Sequence, residues 1–368
     1  MPVTLNSNPF THDRRTRANG HNLTLAGERR GRSSNTITIG LVNNMLDGAL
    51  EATERQFLSL LESASDGISV RLCLYSLPGV PRNETGSRHI LSSYTSADNL
   101  GEAKLDGLIV TGREPLAANL ADEPYWDRFT KLVDWAKENT YSTIWSCLAA
   151  HAATQYMDDI QRVKSRHKRC GILDCARVSD HPLIAGTPSR FKLPHSRWNG
   201  LPEDELTARG YDVLTRAGDA GVDTFVRQNK SLFVFFQGHP EYERNTLLLE
   251  YRRDVARYVR GEMNTYPLMP RGYFDRDAEI ELIALQHKAR LVRDPEILAE
   301  VSRVLETVEI EDTWRPTAAV IYKNWLRYIC AQKEQRLRDG SIAVEANIES
   351  RQVEGGMPTL VAAAAVSA

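Results

Sequence analysis

The chain has 368 residues, 42% of them hydrophobic, and its 46 basic side chains are balanced by 48 acidic ones to a net charge of −2. A field of one sign that would attract nucleic acid or a membrane surface is therefore excluded, and no run of 18 apolar residues offers a membrane span. Five cysteines (Cys73, Cys147, Cys170, Cys175, Cys330) are an odd, scattered set with no CxxC pair, which argues against a disulfide framework and a zinc site and fits a reducing cytoplasm. Residues 1–35 carry six arginines and no apolar signal core. A basic leader of this kind can mimic an organelle transit segment, but a surface arm is the plainer reading.

In chain order, Thr36–Val42 (TITIGLV) reads as a buried parallel strand. Leu50–Ser63 has the apolar spacing of an amphipathic helix, and Gly67–Tyr75 alternates as a strand. Residues 78–103, rich in Ser, Asn, Gly and charge, read as a long loop. Strands follow at Gly107–Thr111 and Ser142–Ser146, helices at Tyr125–Asn139 and Leu148–Met157. Further strands are expected at Cys170–Leu173, Tyr211–Thr215, Thr224–Arg227 and Leu232–Phe236, and a helix at Leu247–Arg260. This alternation predicts a doubly wound α/β fold, a mainly parallel sheet with helices on both faces. Met263–Tyr273 reads as irregular, about 278–310 as an inserted surface helix pair, and Trp314–Gln335 as a last helix. The organisation is thus a basic arm (1–35), one α/β domain (36–335) and a tail (336–368) expected to be partly disordered.

Two segments carry chemistry. At Thr143-Ile144-Trp145-Ser146-Cys147-Leu148 an apolar strand runs straight into a small-residue helix, with a cysteine at the junction. Such an elbow lifts the side chain above the carboxyl end of the sheet, where open α/β folds bind ligands; the helix N-terminus favours a thiolate, and the Leu148 N–H can donate to an oxyanion. Taken alone, a buried structural cysteine is the commoner fate. At Phe235-Phe236-Gln237-Gly238-His239-Pro240-Glu241 another strand ends in a histidine that can reach the same crevice, with a carboxylate two residues on to orient its ring. Weaker signals are Arg166–Arg169, mostly a solvated charge run; the polar turn read at Leu193–Trp198; and Arg253, a guanidinium suited to a carboxylate.

Together these pieces resemble the homoserine O-succinyltransferase/acetyltransferase family, whose fold is that of class I glutamine amidotransferases. The matching stretches are GLVNNM near residue 40, ERQFLSLL, DGLIVTG, PYW, the Cys147 elbow, PHSR, GHPEY followed by EYRRDV, and Lys323-Asn324-Trp325-Leu326. The resemblance implies a ping-pong acyl transfer without metal or other cofactor: Cys147 takes an acyl group from acyl-CoA, and His239, oriented by Glu241, activates the hydroxyl of a small amino acid, typically homoserine in methionine biosynthesis. It assigns Lys168, Ser196 and Arg253 to substrate binding, and Leu148, Arg113 and Leu116 to the oxyanion and acyl pocket. It also implies a homodimer.

The chain departs from the family in Leu148 and His151, where Trp and Gln are usual, and at the donor-discriminating loop position, which falls on Leu116 or Ala117. A bulky Leu116 is expected to shrink the pocket and favour acetyl over succinyl. Serine or another hydroxy amino acid stays open as acceptor. A glutaminase shares the elbow and His-x-Glu pair but commonly flanks its cysteine with glycines, where Ser146 and Leu148 stand here. A binding module that lost its chemistry would not be expected to keep all three residues.

Overall fold

The computed structural model describes residues 3–6 and 36–354, and side chains up to 339. The basic arm from 7 to 35 and the segment 355–368 lie outside the described residues.

The elements in chain order are β1 (Thr4–Asn6), β2 (Thr36–Val42), α1 (Leu50–Ala64), β3 (Ser69–Ser76), α2 (Glu84–Ser93), β4 (Thr95–Ser96) and β5 (Gly107–Thr111). Then come α3 (Trp126–Asn139), β6 (Ser142–Ser146), α4 (Leu148–Asp158), β7 (Val163–Arg177), β8 (Arg190–Gly200), α5 (Glu203–Ala208), β9 (Asp212–Val213) and β10 (Thr215–Arg216). The chain continues through β11 (Thr224–Gln228), β12 (Leu232–Phe236), α6 (Thr246–Val259), α7 (Arg276–Leu291), α8 (Pro295–Thr307) and α9 (Arg315–Glu354).

The main sheet runs β1-β3-β2-β5-β6-β12-β11-β9, with β4 alongside β3. Pairings from β1 to β12 are parallel, while β12–β11 and β11–β9 are antiparallel. The doubly wound reading is borne out, because β5, β6 and β12 are buried along their whole length, as strands covered on both faces must be. One core cluster gathers Phe57, Leu60, Val234, Phe236, Tyr322 and Trp325, and the other Phe129, Trp145, Phe225, Phe233 and Phe235. On the second side Trp145 meets Phe129 and Phe233 edge-on, at centroid distances of 5.7 and 5.3 Å.

Five expectations are corrected. Residues 78–103 are not a bare loop: they hold α2, β4 and a 3₁₀ turn. Asn83 caps α2 by accepting from the Gly86 N–H, and Arg82 ties the segment to Asp47 and the Met45 carbonyl, so tertiary contacts outweigh a weak local signal. The strand expected at Cys170–Leu173 is the middle of the 15-residue β7, and the supposed turn at Leu193–Trp198 lies inside β8; these strands pair antiparallel, with β10, as a separate three-stranded sheet. The helix pair α7–α8 is more than a surface insertion, since Leu282, Ala289, Ile297, Val301 and Leu305 are buried in the first cluster. The last helix continues to Glu354, beyond the Gln335 where periodicity ended it.

Gly171, in β7, holds the second sheet to the chain after α6. Its φ is +133°, and a Cβ there would stand 2.3 Å from the Arg271 backbone N and O. Gly171→Ala is expected to cost about 1–3 kcal/mol or more through forced backbone movement, read as a lowered Tm.

Candidate active site

The site is built by register. Strands β6 and β12 are parallel neighbours with Ser146 opposite Phe236, so the residues that follow, Cys147 and Gln237-Gly238-His239, leave the sheet side by side. The Cys147 N–H donates to the Phe236 carbonyl at 2.7 Å, fastening the elbow to that neighbouring end. Cys147 has φ +51° and ψ −111°, a conformation an L residue holds only when its surroundings impose it, and it caps α4. Behind it Ala149, Ala150 and Ala153 are fully buried, which lets the helix approach the sheet closely.

His239 and Glu241 are also buried, and His239 Nδ1 lies 2.9 Å from Glu241 Oε1. Ser146 Oγ donates to the same carboxylate oxygen at 3.3 Å. The imidazole is within hydrogen-bonding reach of Cys147. Burial pushes the His239 pKa down, but the charges of Cys147 and Glu241 outweigh it and hold it well above the ordinary histidine value. Tyr242 stacks on the ring at 4.2 Å and 17°, and the Trp314 indole N–H donates to the Tyr242 carbonyl at 2.9 Å, so the residue leading into α9 pins the turn that carries the base. All three expected catalytic residues come together around a cavity of about 250 Å³, lined also by Met45, Thr53, Gln56, Thr111 and Gly112.

The turn beneath His239 is held by a buried polar network. The His239 N–H donates to Pro194 O at 2.8 Å, and Gly238 N–H to Asp223 Oδ1 at 3.1 Å. Asp223 also accepts from Thr215 and Thr224 and lies 3.2 Å from His195 Nε2. Burial pushes the Asp223 pKa up, yet the His195 contact and the two threonine hydroxyls hold it below the ordinary value. Cys175 is close to this pair, but the carboxylate is already engaged on both oxygens. The Gln237 side chain spans the Val222 carbonyl (2.7 Å), the Leu201 N–H (3.2 Å) and His151 Nε2 (3.0 Å).

His151 is buried, and that burial, helped by the Arg197 charge, lowers its pKa to about 3. The unfolded chain protonates this ring near pH 6.5 and the folded chain only near pH 3. Stability is therefore expected to fall as pH drops from 6.5 toward 3, by up to about 1.4 kcal/mol per pH unit from this residue. His151→Gln should flatten that slope; urea titrations at several pH values would show it.

Lys168, Ser196 and Arg253 gather around α6. Ser196 Oγ donates to Glu250 Oε2 (2.5 Å), and the Tyr242 hydroxyl donates to Glu250 Oε1 (2.6 Å). Lys168 Nζ is 3.4 Å from Asp254 Oδ2 and 3.8 Å from Glu250 Oε2; burial lowers its pKa, but Cys170, Glu250 and Asp254 more than offset that. Arg253 Nε donates to Asp254 Oδ1 at 2.9 Å, and its side chain is half exposed. Arg197, the last residue of PHSR, is buried beneath them and donates to the Asn199 and Ala220 carbonyls, a structural use of its charge.

Gly112 packs on the elbow so closely that a Cβ would stand 2.5 Å from Leu148 Cβ and 2.6 Å from Ala149 N. As the first helical residue, Leu148 has an N–H without an intrahelical partner. Arg113 is buried, donating to the Glu114 and Pro81 carbonyls, and lines a second cavity with Leu148. Leu116 does not behave as expected: it is 66% exposed and lines neither cavity, because its N–H and that of Ala117 are drawn to Glu123 Oε1 at 2.6 and 2.7 Å. Sequence reading missed Asp223, Gln237 and Tyr242 as site-builders. The closeness of Gln237 and Tyr242 to the His-Pro-Glu turn offered a local signal, and Asp223 offered none.

Among the described residues no helix is long and apolar enough to cross a membrane. Residues 15–336 match the family described as homoserine O-succinyltransferase. The chain is 48% identical over 297 residues to a homoserine O-succinyltransferase of Rhodopseudomonas palustris, covering 81% of this chain and 89% of that one. A Bradyrhizobium japonicum protein of the same name is 45% identical, covering 82% and 93%. Among solved structures the chain is similar to a glutamine amidotransferase from Methylobacillus flagellatus (14% identity, 80% of this chain and 96% of that one, TM-score 0.45). With the Cys147 elbow and its His239–Glu241 pair on a doubly wound sheet, and with family similarity running through nearly the whole domain, the chain belongs to the homoserine O-succinyltransferase family and is an acyltransferase.

Proposed function

We propose that this enzyme moves a succinyl group from succinyl-CoA to the hydroxyl of L-homoserine through a thioester on Cys147. The observation that carries the mechanism is the strained elbow cysteine within reach of a buried His239 whose other nitrogen is held by Glu241. Succinyl is preferred as donor because the relatives above carry that name and because Leu116, the sole reason to expect acetyl, lines neither cavity.

In the first half-reaction the Cys147 thiolate adds to the thioester carbonyl. The oxyanion is met by the Leu148 N–H and a backbone N–H just after Gly112, and as it collapses the CoA sulfur takes the imidazolium proton of His239 and departs as the thiol, leaving the imidazole neutral. In the second, His239 takes the proton of the homoserine hydroxyl as its oxygen adds to the acyl-enzyme, and Cys147 leaves as thiolate, paired again with the imidazolium. Glu241 keeps the ring in the tautomer that presents Nε2 to the reacting atoms. Arg253 suits the amino-acid carboxylate, and the Glu250 carboxylate suits its ammonium end, with Ser196 and Lys168 beside it. Every proton and electron pair in these steps is handled by the protein's own side chains and the two substrates.

Incubation with succinyl-CoA and no acceptor should leave a succinyl adduct on Cys147, seen by intact-protein and peptide mass spectrometry, and homoserine should discharge it. Acetyl-CoA and serine run as alternatives identify the donor and acceptor. No adduct from either CoA ester would sink the mechanism, and glutamine hydrolysis without acyl-CoA would replace it with an amidotransferase reading.

A further inference from the structure

Beside the catalytic cavity lies a second one of about 290 Å³, sharing Thr111 and Gly112 with it. Its wall is mainly apolar, with Tyr125, Trp126, Phe129, Leu148 and Ala152 contributing. One polar side chain in it stands out. Asn44 is 2% exposed; its backbone N–H donates to Thr111 Oγ1 at 2.8 Å and its Nδ2 to the Thr111 carbonyl at 2.9 Å. The second bond fixes which end of the amide is which, since turning it over would set oxygen against oxygen. The remaining atom, Oδ1, is buried and has no hydrogen-bond partner among the described residues.

A buried acceptor without a donor is costly, and in the wall of an apolar cleft it marks what a ligand must bring. It repels a carboxylate and accepts from an N–H. Arg113, in the same wall, is held by two backbone carbonyls. We infer that this cleft holds the pantetheine arm of the acyl donor, with Asn44 Oδ1 accepting from one of its amide N–H groups. The cleft adjoins the Cys147 elbow through Thr111 and Gly112, so an arm lying in it can present its thioester to the sulfur. The inference rests on the acyl-thioester reading above and adds where the donor lies and which group recognises it.

The experiment is acylation of Cys147 without acceptor, followed by mass, with three donors: succinyl-CoA, succinyl-pantetheine, and the succinyl thioester of 2-mercaptoethanol, which has no amide. In the unmodified enzyme the two amide-bearing donors should react at similar second-order rates, well above the third. Asn44→Leu should lower the ratio of amide-bearing to amide-free rates by about tenfold. Ala152→Leu, which fills the cleft from α4 and leaves Asn44 in place, should lower it too. Alkylation of Cys147 by iodoacetamide and the Tm report whether each variant kept its fold. A ratio unchanged in both folded variants, or no preference for amide-bearing donors in the unmodified enzyme, would overturn the inference while leaving Cys147 acylation intact. Failure of every thioester to acylate Cys147 would instead remove the parent mechanism, and this inference with it.

Discussion

Cys147→Ala is expected to abolish acyl transfer, by about 10⁴-fold or more, and to leave no acyl adduct after incubation with the donor. The loss is large because a covalent route has no substitute once its nucleophile is gone: His239 and Glu241 would then orient the acceptor hydroxyl toward nothing on the enzyme. Cys147→Ser separates chemistry from packing. It preserves size within the elbow, yet a hydroxyl is far less ionised than a thiol, so the serine variant should also fail to turn over at any useful rate. His239→Gln keeps a polar side chain in the same pocket and is expected to cost about 10²–10⁴-fold, the range of a lost general base. If either cysteine variant retained more than about a tenth of wild-type turnover, the nucleophile would have to be sought elsewhere. Steady-state kinetics beside intact mass on the same preparations decides it.

Asp223→Ala is expected to carry the largest stability loss outside the apolar core, about 3–5 kcal/mol, read by urea denaturation. The carboxylate is fully buried and takes hydrogen bonds from the Thr215 and Thr224 hydroxyls and the Gly238 N–H, with the His195 ring 3.2 Å away. Removing it strands all of these groups in a place without water, and each unsatisfied group has its own desolvation cost. Asp223→Asn keeps the shape and several acceptors and should cost less. Because Gly238 immediately precedes His239, the alanine variant should also lower kcat at temperatures where it is still folded, with little change in the KM for the acyl donor. A fully folded Asp223→Ala protein with wild-type stability would refute this role for the network.

The fold class and the meeting of Cys147, His239 and Glu241 in one crevice were legible in the chain itself, and for a physical reason. Strands buried on both faces must be continuously apolar, so Gly107–Thr111, Ser142–Ser146 and Leu232–Phe236 announce themselves, and a reactive group at the carboxyl end of a parallel strand stands in the crevice whatever its neighbours are. Cys147 and His239 are therefore placed by local pattern alone. The second sheet was not legible. Strand β7 passes through Arg166–Arg169, whose charges read as a solvated run, and β8 holds Pro194 and His195, whose polarity reads as a turn. Their pairing with each other supplies the hydrogen bonds that neither segment advertises. Nor can a sequence show that Leu116 is turned outward: that follows from Glu123, seven residues on, capturing its N–H.

The chain by itself thus determined the elements whose signal is local: the apolar strands, the elbow cysteine, and the histidine and glutamate two residues apart. Tertiary structure alone decided which distant groups meet them. Asp223 reaches under Gly238 because β11 and β12 pair antiparallel, and Asn44 faces Thr111 because β2 and β5 are parallel neighbours. A buried hydrogen bond between groups far apart in the chain leaves no periodic trace. It exists only because closing the sheet removes water from both partners at once, so it could be read from the fold and not from the residues in order.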